Sequence, residues 1–172
     1  MDATVASYLN NVQDFQTRRA LQLILNPIAD RLSSQTFSSA GLVIKAGGSA
    51  IVKSGSRFDG IAQGVPVTKA ANTDMAALVG SVANATFNVF CFYFDTAGTL
   101  TTRMGIAAAT YAGVVFPTVI PGQAMIGYVL INPTGTGPFV GGTTPIDDAT
   151  VVPNAVYVNT IGAFDTTVKL PI

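Results

Sequence analysis

The chain has 172 residues and a mass of 17.7 kDa, enough for one good core or for one domain with an appendage. Nine Lys and Arg balance nine acidic residues, all Asp, and only 10% of the chain is charged, against about 25% in an ordinary soluble domain. This neutrality argues against a nucleic-acid partner, which needs clustered Lys and Arg, and the absence of His excludes nucleophile–His pairs and imidazole metal sites.

The N-terminal zone, 1–39, is helical in pattern. Val5, Tyr8, Leu9, Val12 and Phe15 recur at three- and four-residue spacing, and so do Leu21, Ile24, Leu25, Ile28 and Leu32. Asn26-Pro27 carries the signature of an N-cap followed by the first helical residue. The spacing therefore predicts a helix over about 3–25, a kink or break, and a short second helix ending near 31–33. SSQTFSS then predicts a linker.

From Ala40 to the C-terminus, 40–172, the pattern is β. Strands are expected at 42–45 and 50–53, joined through Gly47-Gly48, with another short pair around Asp59-Gly60. FNVFCFYFDTAGTLTT follows. With period two, Phe87, Val89, Cys91 and Tyr93 share one face, while Asn88, Phe90, Phe92 and Phe94 share the other. A half-solvated strand alternates apolar with polar, so a strand apolar on both sides must be covered on both. Asp95-Thr96-Ala97-Gly98 is a tight turn into a Thr-rich partner strand. Further strands are expected at 114–116, 125–131, 151–152 and 156–159, which with no intervening helices predicts an antiparallel β-sandwich or barrel. The Gly/Pro/Thr-rich stretch 132–145 is expected to be a contact loop with Phe139 at its tip.

Residues 104–146 contain no charge, yet Pro117, Pro121, Gly122 and Gln123 interrupt the run and its Val/Ile/Tyr content suits strands, so no membrane span is expected. Asp2 stands where a secretory leader would be basic.

Chemistry-bearing patterns are sparse. Cys91 is alone within an apolar strand, so an internal disulfide is excluded and a buried structural thiol is expected. Asp59, Asp74, Asp95 and the pair Asp147-Asp148 sit beside Gly or at strand ends, where Asp makes turns and caps. The spaced ligand ladder of a calcium loop is missing. GTGPFVGG lacks the glycine register and the following helix of a dinucleotide fingerprint. No catalytic residue, cofactor or metal is expected.

Four phrases, GLVIKAGGSAIVKSG, FNVFCFYFDTAGTLTT, AMIGYVLINPTGTGPFVGGTTPIDD and VPNAVYVNTIGAFD, together resemble small virion structural proteins of tailed bacteriophages, either capsid decoration (cement) proteins or short head-fibre subunits. The resemblance spans roughly residues 40–165. It implies a homo-oligomeric, often trimeric, β-rich subunit that is made in the host cytoplasm, sits on the capsid exterior and has the major capsid protein and its own copies as partners. On that reading the interface draws on Val5, Leu9, Val12, Leu21, Ile24 and Ile28 of the helical zone, on Phe90 and Phe92, and on Phe139. The second face of the aromatic strand would then meet another layer or another copy; the alternative is that the N-terminal helix covers it. A fibre or receptor-binding module using the Phe139 loop, and an unrecognised enzyme, are the competing functions.

Overall fold

A computed structural model describes residues 15–163 of the chain. Helix α1 (Phe15–Ser33) leads into eleven strands: β1 (Gln35–Thr36), β2 (Leu42–Ile44), β3 (Val52–Ser54), β4 (Phe58–Ala62), β5 (Val65–Lys69), β6 (Ser81–Val82), β7 (Asn88–Phe94), β8 (Leu100–Met104), β9 (Ala124–Ile131), β10 (Phe139–Val140) and β11 (Val156–Asn159). The described fold is mainly β, with every strand pairing antiparallel.

The central element is a four-stranded sheet in the order β11-β9-β7-β8. Strand β7 is buried at all seven of its positions, and its two-residue period sorts its side chains into two separate cores. Phe90, Phe92 and Phe94 enter a large core with Leu42, Val52, Phe58, Val67, Val82 and Phe139, supplied by the three smaller sheets β2-β3, β1-β4-β5 and β6-β10, and with Leu78 from the segment between β5 and β6. Phe58 lies 6.2 Å from Phe94 and Phe139 lies edge-on to Phe90 at 5.8 Å, the tilted geometry that ring quadrupoles favour.

Val89, Cys91 and Tyr93 enter a second core with Val114, Phe116, Met125 and Tyr128. Its cover is the connection 105–123, folded back over the sheet by antiparallel bridges between Phe87 and Ala108 and between Ile106 and Val115. Phe116 sits edge-on to Tyr128 at 5.0 Å. The second face of the aromatic strand is thus covered by neither another copy nor the helix, but by the chain's own long connection.

Strand β9 needs a bulge to serve both cores. Phe92 pairs with Gly127 while Tyr93 pairs with Met125, so Ile126 is extra and the alternation changes phase there. Ala124 and Ile126 before the bulge, and Val129 and Ile131 after it, consequently face the same large core. Gly127 occupies the bulge because a Cβ there would lie 2.3 Å from the Val158 carbonyl oxygen.

Several local expectations shift. Asn26-Pro27 does not restart a helix: α1 runs through it for 19 residues. Asp59-Gly60 lies inside β4; the turn is Gln63-Gly64, with φ of 48° and 77°, a two-residue hairpin connection of type I′. The stretch 114–116 forms a single bridge through Val115, and 151–152 forms a turn. The β body begins at β1 rather than at residue 40, because Gln35 and Thr36 pair with Ile61 and Gly60.

Candidate assembly surface

Helix α1 is attached to the β body at one end. The Gly64 N–H donates to the Ser33 carbonyl and the Gln63 N–H to Ser34 Oγ, fastening its C-terminus to the β4–β5 turn. Thr36, fully buried, then donates its hydroxyl to the Thr160 carbonyl at 2.7 Å and ties the start of the body to the segment after β11. Upstream of Ser33 no described residue of the helix is buried. The aliphatic stripe that the three- and four-residue spacing predicts is present, with Ile24 59%, Ile28 48% and Leu32 58% exposed and Leu21 and Leu25 half-buried. Large aliphatics left in water on one side of a helix form the kind of patch that marks an interaction surface.

The candidate residues therefore divide into three groups. Leu21, Ile24 and Ile28 share one helical stripe, exposed at Ile24 and Ile28 and half-buried at Leu21. Val5, Leu9 and Val12 lie outside the described residues. Phe90, Phe92 and Phe139 do not belong to a surface at all: each is buried in the large core, and Phe139, expected at the tip of a contact loop, pairs in β10 with Val82 of β6. The loop 132–145 carries its aromatic inward because the apolar site beside Phe90 removes the ring from water more completely than a loop tip could.

A smaller accessible patch had no sequence signal. The isolated bridge between Thr36 and Gly162 brings their chain neighbours Phe37 and Ile161 into one region, and both side chains are exposed. Only the pairing of residues far apart in the chain brings these two together.

The acidic side chains of the β body have structural partners. Asp59 accepts from Thr68 and pairs with Arg57, and these contacts hold its carboxyl below the usual range. Asp148 accepts from the Thr150 hydroxyl and N–H and is likewise lowered. Asp95 caps its own turn by accepting from the Ala97 and Thr99 N–H groups; Asp147 accepts from the Gly48 N–H, and Asp74 pairs with Lys45. Among the described residues no three His, Cys, Asp or Glu side chains converge as metal ligands, and no helix is long and apolar enough to cross a membrane.

Beneath the covering connection lies a polar cluster of the small core. Arg103 rests on the ring of Tyr93, donates to the Thr118 carbonyl at 2.6 Å and donates to Gln123 Oε1. Cys91 is sealed beside it, and burial pushes its thiol up to about 12, so it is neither a thiolate nor a nucleophile at neutral pH. Comparison with family models, curated proteins and solved structures finds no match for this chain.

Proposed function

We propose that this chain is a structural subunit of a bacteriophage virion, a capsid decoration protein that binds the outer shell as a homo-oligomer, most simply a trimer. The observation that carries the reading is the apolar stripe Leu21-Ile24-Leu25-Ile28-Leu32, exposed at Ile24, Ile28 and Leu32, on a helix held at one end, next to a β body that completes both of its cores from its own chain. A body that needs nothing from a partner, carrying a helix that does, suits a module for adhesion. The resemblance of the β-zone phrases to small virion proteins points the same way, and so does a composition with few charges to desolvate at a contact.

The physics of such a subunit is additive burial. Apolar area withdrawn from water contributes roughly 25 cal/mol per Å². Copies joined through their helices present several weak shell contacts at once, and effective concentration then turns these into a clamp across neighbouring shell subunits. The fibre alternative relied on an aromatic at a loop tip, and Phe139 is buried.

The test is native mass by light scattering, followed by co-sedimentation with capsid shells lacking this protein. The reading expects a species near three times 17.7 kDa that decorates shells. The double variant Ile24→Asp/Ile28→Asp should run as a smaller species and fail to decorate. A variant that still assembles and decorates like the parent would remove the helix from the account.

A further inference from the structure

The edge of the central sheet offers a second, independent surface. The bonds flanking β8, Asp95 N–H to the Thr99 carbonyl and Gly105 N–H to the Val89 carbonyl, fix the phase of its ladder with β7. Odd-numbered residues of β8 therefore turn their N–H and C=O groups toward β7, while Leu100, Thr102 and Met104 turn theirs outward. Beyond Met104 the same edge is already occupied, since Ile106 and Val115 exchange both of their backbone bonds.

Several other edges of the body are protected. On β5, Pro66 removes a donor. The outer side of β3 is bonded to the segment 73–75, through Ser54 N–H to the Thr73 carbonyl and Met75 N–H to the Val52 carbonyl. Strand β11 is flanked by β2, whose Leu42 N–H donates to Asn159 Oδ1. Strand β8 has no proline, no bulge and no outward charge: its single ionic side chain, Arg103, is folded back onto Tyr93 of its own chain. Proteins normally protect such edges because they template pairing with another strand.

We propose that β8 is a self-association edge, joining two copies antiparallel about a two-fold axis through Thr102. The register follows from which groups point outward. Thr102 meets its own counterpart, and Leu100 meets Met104 of the second copy, so every outward N–H and C=O finds a partner in three hydrogen-bonded pairs, about six bonds. The alternation also matches, because Leu100, Thr102 and Met104 lie on one face; apolar meets apolar and threonine meets threonine, a favourable cross-strand pair. Charge does not oppose the approach, since each Arg103 stays on its own ring and lies opposite Thr101 of the other copy. The result is a continuous sheet across an isologous contact. It rests on edge geometry and is separate from the helix, so copies gathered by their helices at one place could be tied to copies at the next.

The decisive experiment uses the Ile24→Asp/Ile28→Asp protein, in which the helix stripe is spoiled, and reads mass by light scattering across a concentration series. The expected result is a dimer at the high end. Thr102→Pro, which deletes an outward N–H that the β7 ladder does not use, should halve the mass. Thr102→Val loses only the side-chain bond to the Ala76 carbonyl and should stay dimeric. In parallel, Thr102→Cys with Cys91→Ala should give a disulfide-linked dimer on mild oxidation, because Cα atoms of a hydrogen-bonded antiparallel pair are about 5.5 Å apart. If Thr102→Pro loses its β signal in circular dichroism, the cross-link decides alone. A monomer at every concentration, or no cross-link, overturns the proposal and leaves the helix-based reading standing.

Discussion

Arg103 lies over the ring of Tyr93, its Cζ 4.0 Å from the ring centroid. The two side chains come from neighbouring strands, since Arg103 pairs with Cys91 and Tyr93 with Thr101. From this position the guanidinium reaches the Thr118 carbonyl and Gln123 Oε1. One side chain therefore fastens the far end of the connection 105–123 to the sheet that it covers.

Removing this fastening should loosen the cover before it unfolds the protein. Arg103→Met keeps much of the apolar stem but gives up two charge-assisted hydrogen bonds and a cation–π contact, a loss of about 2–4 kcal/mol. Cys91, sealed in the parent, is the natural reporter. Its labelling by a thiol reagent under native conditions should accelerate well beyond what the drop in global stability accounts for. If labelling tracked global unfolding alone, the connection would be an inseparable part of the core and Arg103 would have no fastening role.

The pH profile should be a broad plateau with two different shoulders. No His is present to titrate between pH 5 and 8. Asp59 and Asp148 have folded values below the ordinary 3.8, so their contribution is present above that value and is lost as pH falls through the folded values. Cys91 is raised from 9.0 to about 12; the unfolded chain then releases its proton first, and stability declines as pH climbs from about 9 toward 12. Tyr157, also raised to about 12 by burial, acts in the same direction. Urea melts from pH 3 to 11 should show this shape, and Cys91→Ala should soften the alkaline shoulder. An alkaline limb identical in that variant would mean that the tyrosines alone produce it.

Phe139 discriminates between a contact loop and a core anchor. It is fully buried, edge-on to Phe90, so Phe139→Ala should lower stability by about 3–5 kcal/mol and leave the assembly of the remaining folded protein unchanged. Denaturant unfolding and light scattering on the same sample separate the two. Unchanged stability with lost assembly would restore the contact-loop assignment.

How far the sequence could be read depended on whether burial followed a period. Strand β7 was legible down to its faces, because Phe90, Phe92 and Phe94 alternate strictly with Val89, Cys91 and Tyr93, and each set met a different core. The turn at Asp95–Gly98 was legible for a local reason, a carboxylate that caps its own loop. What covers the second face was not. The connection 105–123 contributes Val114 and Phe116 through irregular backbone, which leaves no spacing to detect. The helical stripe Leu21-Ile24-Ile28 was visible as a stripe, but amphipathicity says only that a face is apolar, never what lies against it. The same ambiguity lets Phe90 and Phe92 read as an interface face, whereas Phe139 stands in a Gly/Pro/Thr-rich stretch whose composition hides the two-residue strand β10.

Gly60 gives the sharpest test of the packing between sheets. It looks like a turn glycine after Asp59, yet it sits within β4 opposite Thr36 and Val67. Its role is steric: a Cβ at this position would lie 2.6 Å from Phe94 Cζ and 2.7 Å from the Gln35 carbonyl oxygen. The ring of Phe94 is held by Phe58 at 6.2 Å, and the Gln35 carbonyl by the short β1 ladder, so neither neighbour can retreat cheaply. Gly60→Ala should therefore destabilise by about 1–3 kcal/mol through overpacking, even though alanine ordinarily stiffens a strand relative to glycine. Gly47→Ala is the matched control, since its nearest new contact is Asp147 Oδ2 at 3.9 Å, and it should change stability by no more than a few tenths of a kcal/mol. Equal denaturation midpoints for the two variants would mean that Phe94 has room to turn aside, and that the large core is less tightly closed around β4 than these distances require.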